Sequence, residues 1–233
     1  MKLAIMQPYV FPYIGYFQLV SAADKFVIYN DVYYIKQGWI NRNRILLKGA
    51  PHLFTIPVTG ASSFRLIREI KLSPDLFIKW KQKFFKLLHS AYAKAPHYSA
   101  VIALVKEAFN KEAATISELA VNSIKSTLSY LQIPAKLILS SATYTNQKLA
   151  GAERVIDICL QEKASIYINA PGGMELYDKS YFQSWGIELK FIKPGNIVYK
   201  QLEGEFVSAL SIIDVMMFNS VSDIRVMLNN YTL

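Results

Sequence analysis

The chain has 233 residues, 52% of them apolar, with 26 basic against 17 acidic side chains and a formal net charge of +9. That length suffices for a single domain spanning 1–233 with a substantial core, and the apolar content excludes intrinsic disorder, whose signature is low hydrophobicity. One cysteine, Cys159, excludes a disulfide framework or cysteine-built metal site, and the scattered His52, His89 and His97 lack zinc-ligand spacing, so no metal is expected.

Lys2 to Met6 reads as a short buried strand, followed by a loop that Pro8 and Pro12 keep irregular. A helix from about Gly15 to Ala23 and a β-rich segment, Lys25 to Tyr29, complete a strand–loop–helix–strand unit, the local grammar of a parallel α/β sheet. Over 31–70 the pattern becomes an antiparallel hairpin excursion, with strands expected at Tyr33–Lys36, Asn43–Leu47 and Phe54–Val58, separated by Gly38, Gly49-Ala50-Pro51 and Gly60. Ser73-Pro74-Asp75 opens the first of three helices that form a helical insertion over 73–131. The second covers about Tyr98 to Asn110, and the third starts at Thr115 with a capping box to Glu118. The α/β pattern returns with strands at Lys136–Leu139, Ser165–Asn169 and Glu188–Ile192, and a helix at Gly151–Glu162. Two last helices begin at Ser211 and Ser220. Cys159 falls on the apolar face of its helix and reads as a buried, inert thiol.

No uncharged apolar run reaches the roughly 18 residues of a membrane span, and the stretch before Pro8 is too short for a signal peptide. No membrane span and a cytoplasmic location are expected. The charge is uneven: residues 1–116 hold 16 Lys/Arg and 6 Asp/Glu, whereas 117–233 hold 10 and 11. A one-sided basic field favours anionic partners, although the lysines of 79–94 are also what a solvated helix face looks like. Nucleic acid is not expected as a partner, because net charge alone speaks for it and no RRM, KH or zinc-finger signature is present.

Four segments carry groups able to do chemistry. The loop after the first strand places Gln7, Tyr9, Tyr13, Gly15 and Tyr16 where an open parallel sheet binds ligands and a helix N-terminus faces them. Tyr13-Ile14-Gly15-Tyr16 has the spacing of the HxGH signature of nucleotidylyltransferases, with tyrosine at both histidine positions. A neutral phenol donates a hydrogen bond but stabilises a transition state less than a cation does. The second segment, Asp31 to Asn43, combines a carboxylate able to act as base (Asp31), a point charge (Lys36), a planar fork for phosphate or carboxylate (Arg42), a stacking face (Trp39 or Tyr34) and the amides of Asn41 and Asn43. The third, Asn169 to Tyr177, offers Gly172-Gly173, where backbone can approach an anion; a plain turn explains it equally well. The fourth includes Gln201, Ser211 and Asp214; Ser211-x-x-Asp214 is also fully explained as a helix start.

Four blocks in order, Ala4-Ile5-Met6-Gln7-Pro8-Tyr9, Pro12 to Phe17, Lys36 to Asn43 and Leu210 to Asp214, resemble the WbqC-like family. The resemblance implies a role in O-antigen or other surface-polysaccharide biosynthesis, as a glycyl, aminoacyl or acyl transferase acting on a nucleotide-linked amino sugar. It adds Tyr167 to the expected pocket residues, beside the catalytic candidates Asp31, Lys36 and Arg42. It implies a nucleotide-sugar or phosphorylated small molecule as partner and an acidic carrier protein, whose thioester, or ATP, would activate the donor. Phe84 departs from a family pattern in which histidine follows the tryptophan of the first long helix. The expected fold is α/β: a parallel Rossmann-like sheet opening as in the HxGH nucleotidylyltransferases, with the hairpin excursion and helical insertion. An adenylate-forming or nucleotidyl-transferring enzyme and a non-catalytic phosphosugar or carrier-protein binding module are the alternatives.

Overall fold

The computed structural model describes residues 1–202 and 204–233. Its first strand, β1 (Lys2–Met6), is the centre of a five-stranded parallel sheet. Side chains alternate across a strand, so Leu3 and Ile5 enter one apolar cluster while Ala4 enters the other. The helix α1 (Ile14–Ala22) leads to β2 (Lys25–Ile28), which sets Ala4 opposite Phe26 and Ile5 opposite Val27.

The chain then leaves the sheet. Strands β3 (Arg42–Leu47) and β4 (Ala50–Thr55) form an antiparallel hairpin. Its turn is Lys48-Gly49, both left-handed with φ of 52° and 73°, the geometry that matches strand twist in a two-residue turn. A second, shorter pair joins β5 (Val58–Thr59) to β6 (Lys71–Leu72). Three helices follow: α2 (Pro74–Tyr92), α3 (Tyr98–Asn110) and α4 (Ile116–Tyr130). Pro74 opens α2 with no side-chain cap from Ser73, whereas Thr115 and Glu118 form a reciprocal capping box on α4. Phe84 stacks on Trp80 with ring centroids 4.6 Å apart and also meets Phe54 and Phe109, so its position is filled by aromatic packing.

The chain re-enters the sheet at β7 (Leu137–Ile138), beside β2. Helix α5 (Gly151–Gln161) carries it to β8 (Ile166–Asn169), on the other side of β1, and α6 (Lys179–Ser184) to the edge strand β9 (Glu188–Phe191). Then come β10 (Lys193–Pro194), α7 (Ile212–Phe218), α8 (Val221–Leu228) and β11 (Tyr231–Thr232), which pairs antiparallel with β10. The resulting order, β7-β2-β1-β8-β9, is doubly wound: growth runs outward from β1 in one direction and then reverses. Among the described residues no helix is long and apolar enough to cross a membrane.

The excursion differs from the expected strands. Tyr33 makes only an isolated bridge to Leu66, and Ile35–Gly38 is a turn closed by Gly38 N donating to Ile35 O, with Gln37 left-handed at φ 60°. Ala50 and Pro51 belong to β4, not to the separator; a hairpin edge tolerates proline because no neighbour awaits its missing N–H. Ile56-Pro57 divides the expected Phe54–Val58 strand in two.

At the C-terminal end of β2, the Asp31 carboxylate is fully buried and paired with Arg154 Nη2 from α5. Arg154 Nη1 also donates to Asp31 O at 3.1 Å and Nε to Asn146 Oδ1 at 3.0 Å. Removing one member of such a pair strands the other charge, which costs ~3–5 kcal/mol. Arg154→Met is therefore expected to lower unfolding stability by about that amount in urea titration; a loss within experimental error would show the pair to be dispensable.

Candidate functional site

In a doubly wound sheet the crevice opens where growth reverses, beyond the C-terminal ends of the strands. Here that place lies between the loop leaving β1 and the Pro171–Gly173 turn leaving β8. It holds a cleft of about 410 Å³, within the range of small-molecule sites. Met6, Tyr9, Pro12 and Tyr13 form one side, and Ala170, Pro171 and Gly172 the other. Trp39, Asn43 and Arg44 reach in from the excursion, and Ala209 closes the rim. A larger open groove of about 720 Å³ runs along the edge strand β9, away from the reversal point.

The loop is held by its backbone. Phe11 is left-handed at φ 45° and fully buried. Its carbonyl accepts from Asn43 Nδ2 at 2.6 Å and Ser211 Oγ at 2.7 Å, and its N–H donates to Ser123 Oγ at 2.9 Å. Ile212 N–H donates to Pro12 O, and Ser211 N–H to Arg44 O. Segments 32, 112 and 200 residues away thus fix a conformation that a non-glycine residue adopts only under constraint. Ala209, at φ 55°, is a second such residue on the same rim.

Among the described residues Arg44 is the single charged side chain lining the cleft, and no Asp, Glu, His or Cys lines it. Its guanidinium carbon stands 5.2 Å from the Trp39 ring centroid, and Nη2 donates to Ala209 O at 3.2 Å. Nε is buried and has no partner among the described residues; the side chain as a whole is half-buried, and its planar fork suits phosphate or carboxylate. Burial, with Tyr13 adding to it, pushes the Tyr9 phenol up to about 12. Burial also raises Tyr13, so both are neutral donors near neutral pH. Behind them lies Tyr16, fully buried, its hydroxyl unpartnered and its ring 5.8 Å from that of Tyr9. Gly15 is needed for space: a Cβ there would lie 2.4 Å from the Tyr13 ring.

Of the residues expected from sequence, Tyr9, Tyr13, Trp39, Asn43 and Gly172 meet at the cleft. Gln7 sits half-buried between Met6 and Tyr9, at the end of β1. The structure does not bring Asp31, Lys36 or Arg42 there. Asp31 is enclosed by Arg154, Ser141 and Gln147. Lys36 is exposed on the turn, and Arg42 donates to the carbonyls of Gln37 and Gly38 in that turn. Asn41 accepts from Tyr34 and donates to Ile56 O. Tyr167 faces the opposite side of the sheet, stacked on Phe182. Gly173 gives room to the Asn169 amide. Asp214 accepts from the Tyr92 and Tyr199 hydroxyls, each at 2.7 Å, and from Gln201 Nε2 at 2.9 Å. Sequence reasoning missed Arg44, Met6, Pro12 and Ala209. Strand alternation carried the signal for Arg44, since it shares a face of β3 with Arg42.

The four sequence blocks therefore form one assembly, in which the third and fourth hold the loop that joins the first two. A sequence model of the WbqC-like protein family matches residues 7–226. The chain belongs to the WbqC-like protein family. It is similar to the uncharacterized protein Rv1507c of Mycobacterium tuberculosis (strain ATCC 25618 / H37Rv), with 31% identity over 220 residues and 92% of each chain covered. No solved structure matches it. The name of that relative states no reaction.

Asp214 ties α7 to α2 and to the chain before it. Burial raises its pKa, opposed by the hydrogen bonds from Tyr199, Tyr92 and Gln201. A carboxyl raised on folding contributes stability that is complete below its unfolded pKa and lost as pH rises through the folded one. The stability of the wild type relative to Asp214→Asn is accordingly expected to fall as pH rises from below the ordinary aspartate range, then level off. Urea unfolding of both proteins across acidic to neutral pH checks this; a difference that grows with pH would reverse the sign.

Proposed function

We propose that the cleft binds a nucleotide-linked amino sugar and that this WbqC-like protein transfers an aminoacyl or acyl group to the sugar amine. One observation carries the reading: at the sheet's reversal point Arg44, the one charged side chain that lines the cleft among the described residues, stands over Trp39. A diphosphate would pair with the part of the half-buried Arg44 guanidinium that faces the cleft, and the exposed part of the Trp39 ring offers a face for a base or sugar. The basic first half would speed the approach of an acidic carrier protein bearing the acyl thioester.

The chemistry follows from what lines the cleft. The neutral amine attacks the thioester carbonyl carbon, the carbonyl oxygen becomes an oxyanion, and the phenols of Tyr9 and Tyr13 donate to it. Collapse breaks the C–S bond, and the leaving thiolate takes the proton lost by the nitrogen. Among the described residues no carboxylate or imidazole lines the cleft, so the amine arrives deprotonated. That same lack of an acid or base favours the second reading, a module that binds the nucleotide sugar without turnover.

Incubation with UDP- or dTDP-amino sugars and aminoacyl- or acyl-loaded carrier protein is expected to give a mass gain on the sugar nucleotide. Arg44→Met should weaken nucleotide-sugar affinity about 10- to 100-fold, the loss of a charge-assisted pair, while Arg42→Met leaves it nearly unchanged in calorimetry. Tight binding with no mass gain from any donor supports the binding module. Loss of binding in Arg42→Met, with Arg44→Met unaffected, removes the cleft from consideration.

A further inference from the structure

Among the described residues Phe64 is the most exposed large apolar side chain, at 90%, and Tyr33 and Ile35 are exposed to 65% and 55%. Backbone pairing gathers the three at one place. Tyr34 N–H donates to Arg65 O at 2.8 Å and Ile67 N–H to Val32 O at 2.9 Å, on either side of the Tyr33–Leu66 bridge. Faces alternate along such a pair, so Tyr34 and Ile67 turn inward and are buried while Tyr33 turns outward. Ile35 and Phe64 each lie one step beyond the last bonded pair. There the Ile35–Gly38 turn and a second turn, closed by Arg65 N–H onto Ser62 O, bend both chains. The resulting tip lies past the C-terminal end of β2, the same end of the sheet as the cleft, and Trp39, just after the first turn, lines that cleft.

The charges around the tip are of one sign. Over 30–38 and 60–69 the cations are Lys36, Arg65 and Arg68, all exposed. Of the two carboxylates there, Asp31 is buried against Arg154, and Glu69 is turned back to accept from Leu66 N–H at 3.1 Å. We infer that this tip docks on an anionic lipid bilayer, with Tyr33, Ile35 and Phe64 entering the headgroup region and Lys36, Arg65 and Arg68 meeting lipid phosphates. Aromatic side chains favour that depth, and cations beside them add attraction to an anionic leaflet. A stable protein partner needs roughly 800 Å² on each side, more than three side chains at the end of two loops present. An interfacial anchor needs only apolar side chains with cations around them. Docking in this way keeps the cleft's end of the sheet towards the bilayer, and it does not depend on the reaction assigned to the cleft.

The test is co-sedimentation of the full chain with vesicles of phosphatidylcholine, either alone or containing about one quarter phosphatidylglycerol. Binding to the anionic vesicles is expected to exceed binding to the neutral ones by at least ~10-fold and to weaken with salt, since each cation near such a surface contributes roughly fivefold. Ile35→Ser combined with Phe64→Ser leaves every charge in place and should lower anionic-vesicle binding ~10-fold or more. Lys36→Gln combined with Arg65→Gln should lower it ~10- to 30-fold. Lys83→Gln combined with Lys86→Gln, at exposed positions of α2, should change it less than about threefold at physiological salt, where distant exposed charges are screened. Phe64→Trp should gain a blue-shifted emission when anionic vesicles are added. No binding to anionic vesicles, equal binding to both kinds, or an unshifted Phe64→Trp emission would overturn the docking surface. So would binding that survives Ile35→Ser with Phe64→Ser, or that falls equally with the α2 lysines, since the basic half as a whole would then be adsorbing. Binding of an acidic carrier protein that the Ile35→Ser and Phe64→Ser pair abolishes, with no binding to vesicles, would give the tip to a protein partner and overturn the inference.

Discussion

The carbonyl oxygen of Phe11 is the point on which the molecule's chemistry turns. It receives hydrogen bonds from Asn43 on β3 and Ser211 at the start of α7, and the same residue's N–H is held by Ser123 of α4. Three segments from separate parts of the chain thus hold one buried residue in a left-handed conformation. Without those contacts the loop after β1 would relax, and Tyr9, Pro12 and Tyr13 would lose their common wall. The cleft is a consequence of this restraint as much as of the sheet that supports it.

The charged and polar groups divide accordingly. Asp31, Arg42, Asn41, Ser211 and Asp214 are engaged with backbone or with other side chains away from the cleft. What lines the cleft for a ligand is narrower among the described residues: one half-buried guanidinium, two neutral phenols and an indole face. Such a set binds and orients strongly and moves protons poorly. It suits a reaction whose reactants bring their own leaving group and nucleophile.

Much of the fold was legible in the sequence because it is built from local signals. Lys2–Met6 and Tyr98–Asn110 coincide with their apolar patterns, and the Thr115 capping box marks its helix start. The β10–β11 pair escaped because two-residue strands are defined by a partner some forty positions away, and six-residue α6 is too short to show a period. The turn at Ile35–Gly38 replaced a strand because β propensity in Tyr33-Tyr34-Ile35 yields to context when no neighbouring strand is available. The site was legible as a place but not as a set of contacts. That Asp31 would meet Arg154 depends on two elements 123 residues apart, and spacing along the chain holds no trace of it. Arg44 was within reach: it lies two positions from Arg42, on the same face of a strand, and only the fold says that Arg42 ends on the Gln37–Gly38 turn while Arg44 reaches the crevice.

The most direct measurement is a crystal structure of the chain with a UDP-linked amino sugar. The expected result is the diphosphate within hydrogen-bonding distance of the Arg44 guanidinium, lying between Tyr9 and Gly172. A diphosphate held instead on the Lys36–Arg42 turn, or along the groove of β9, with the crevice beside β1 empty, would contradict it.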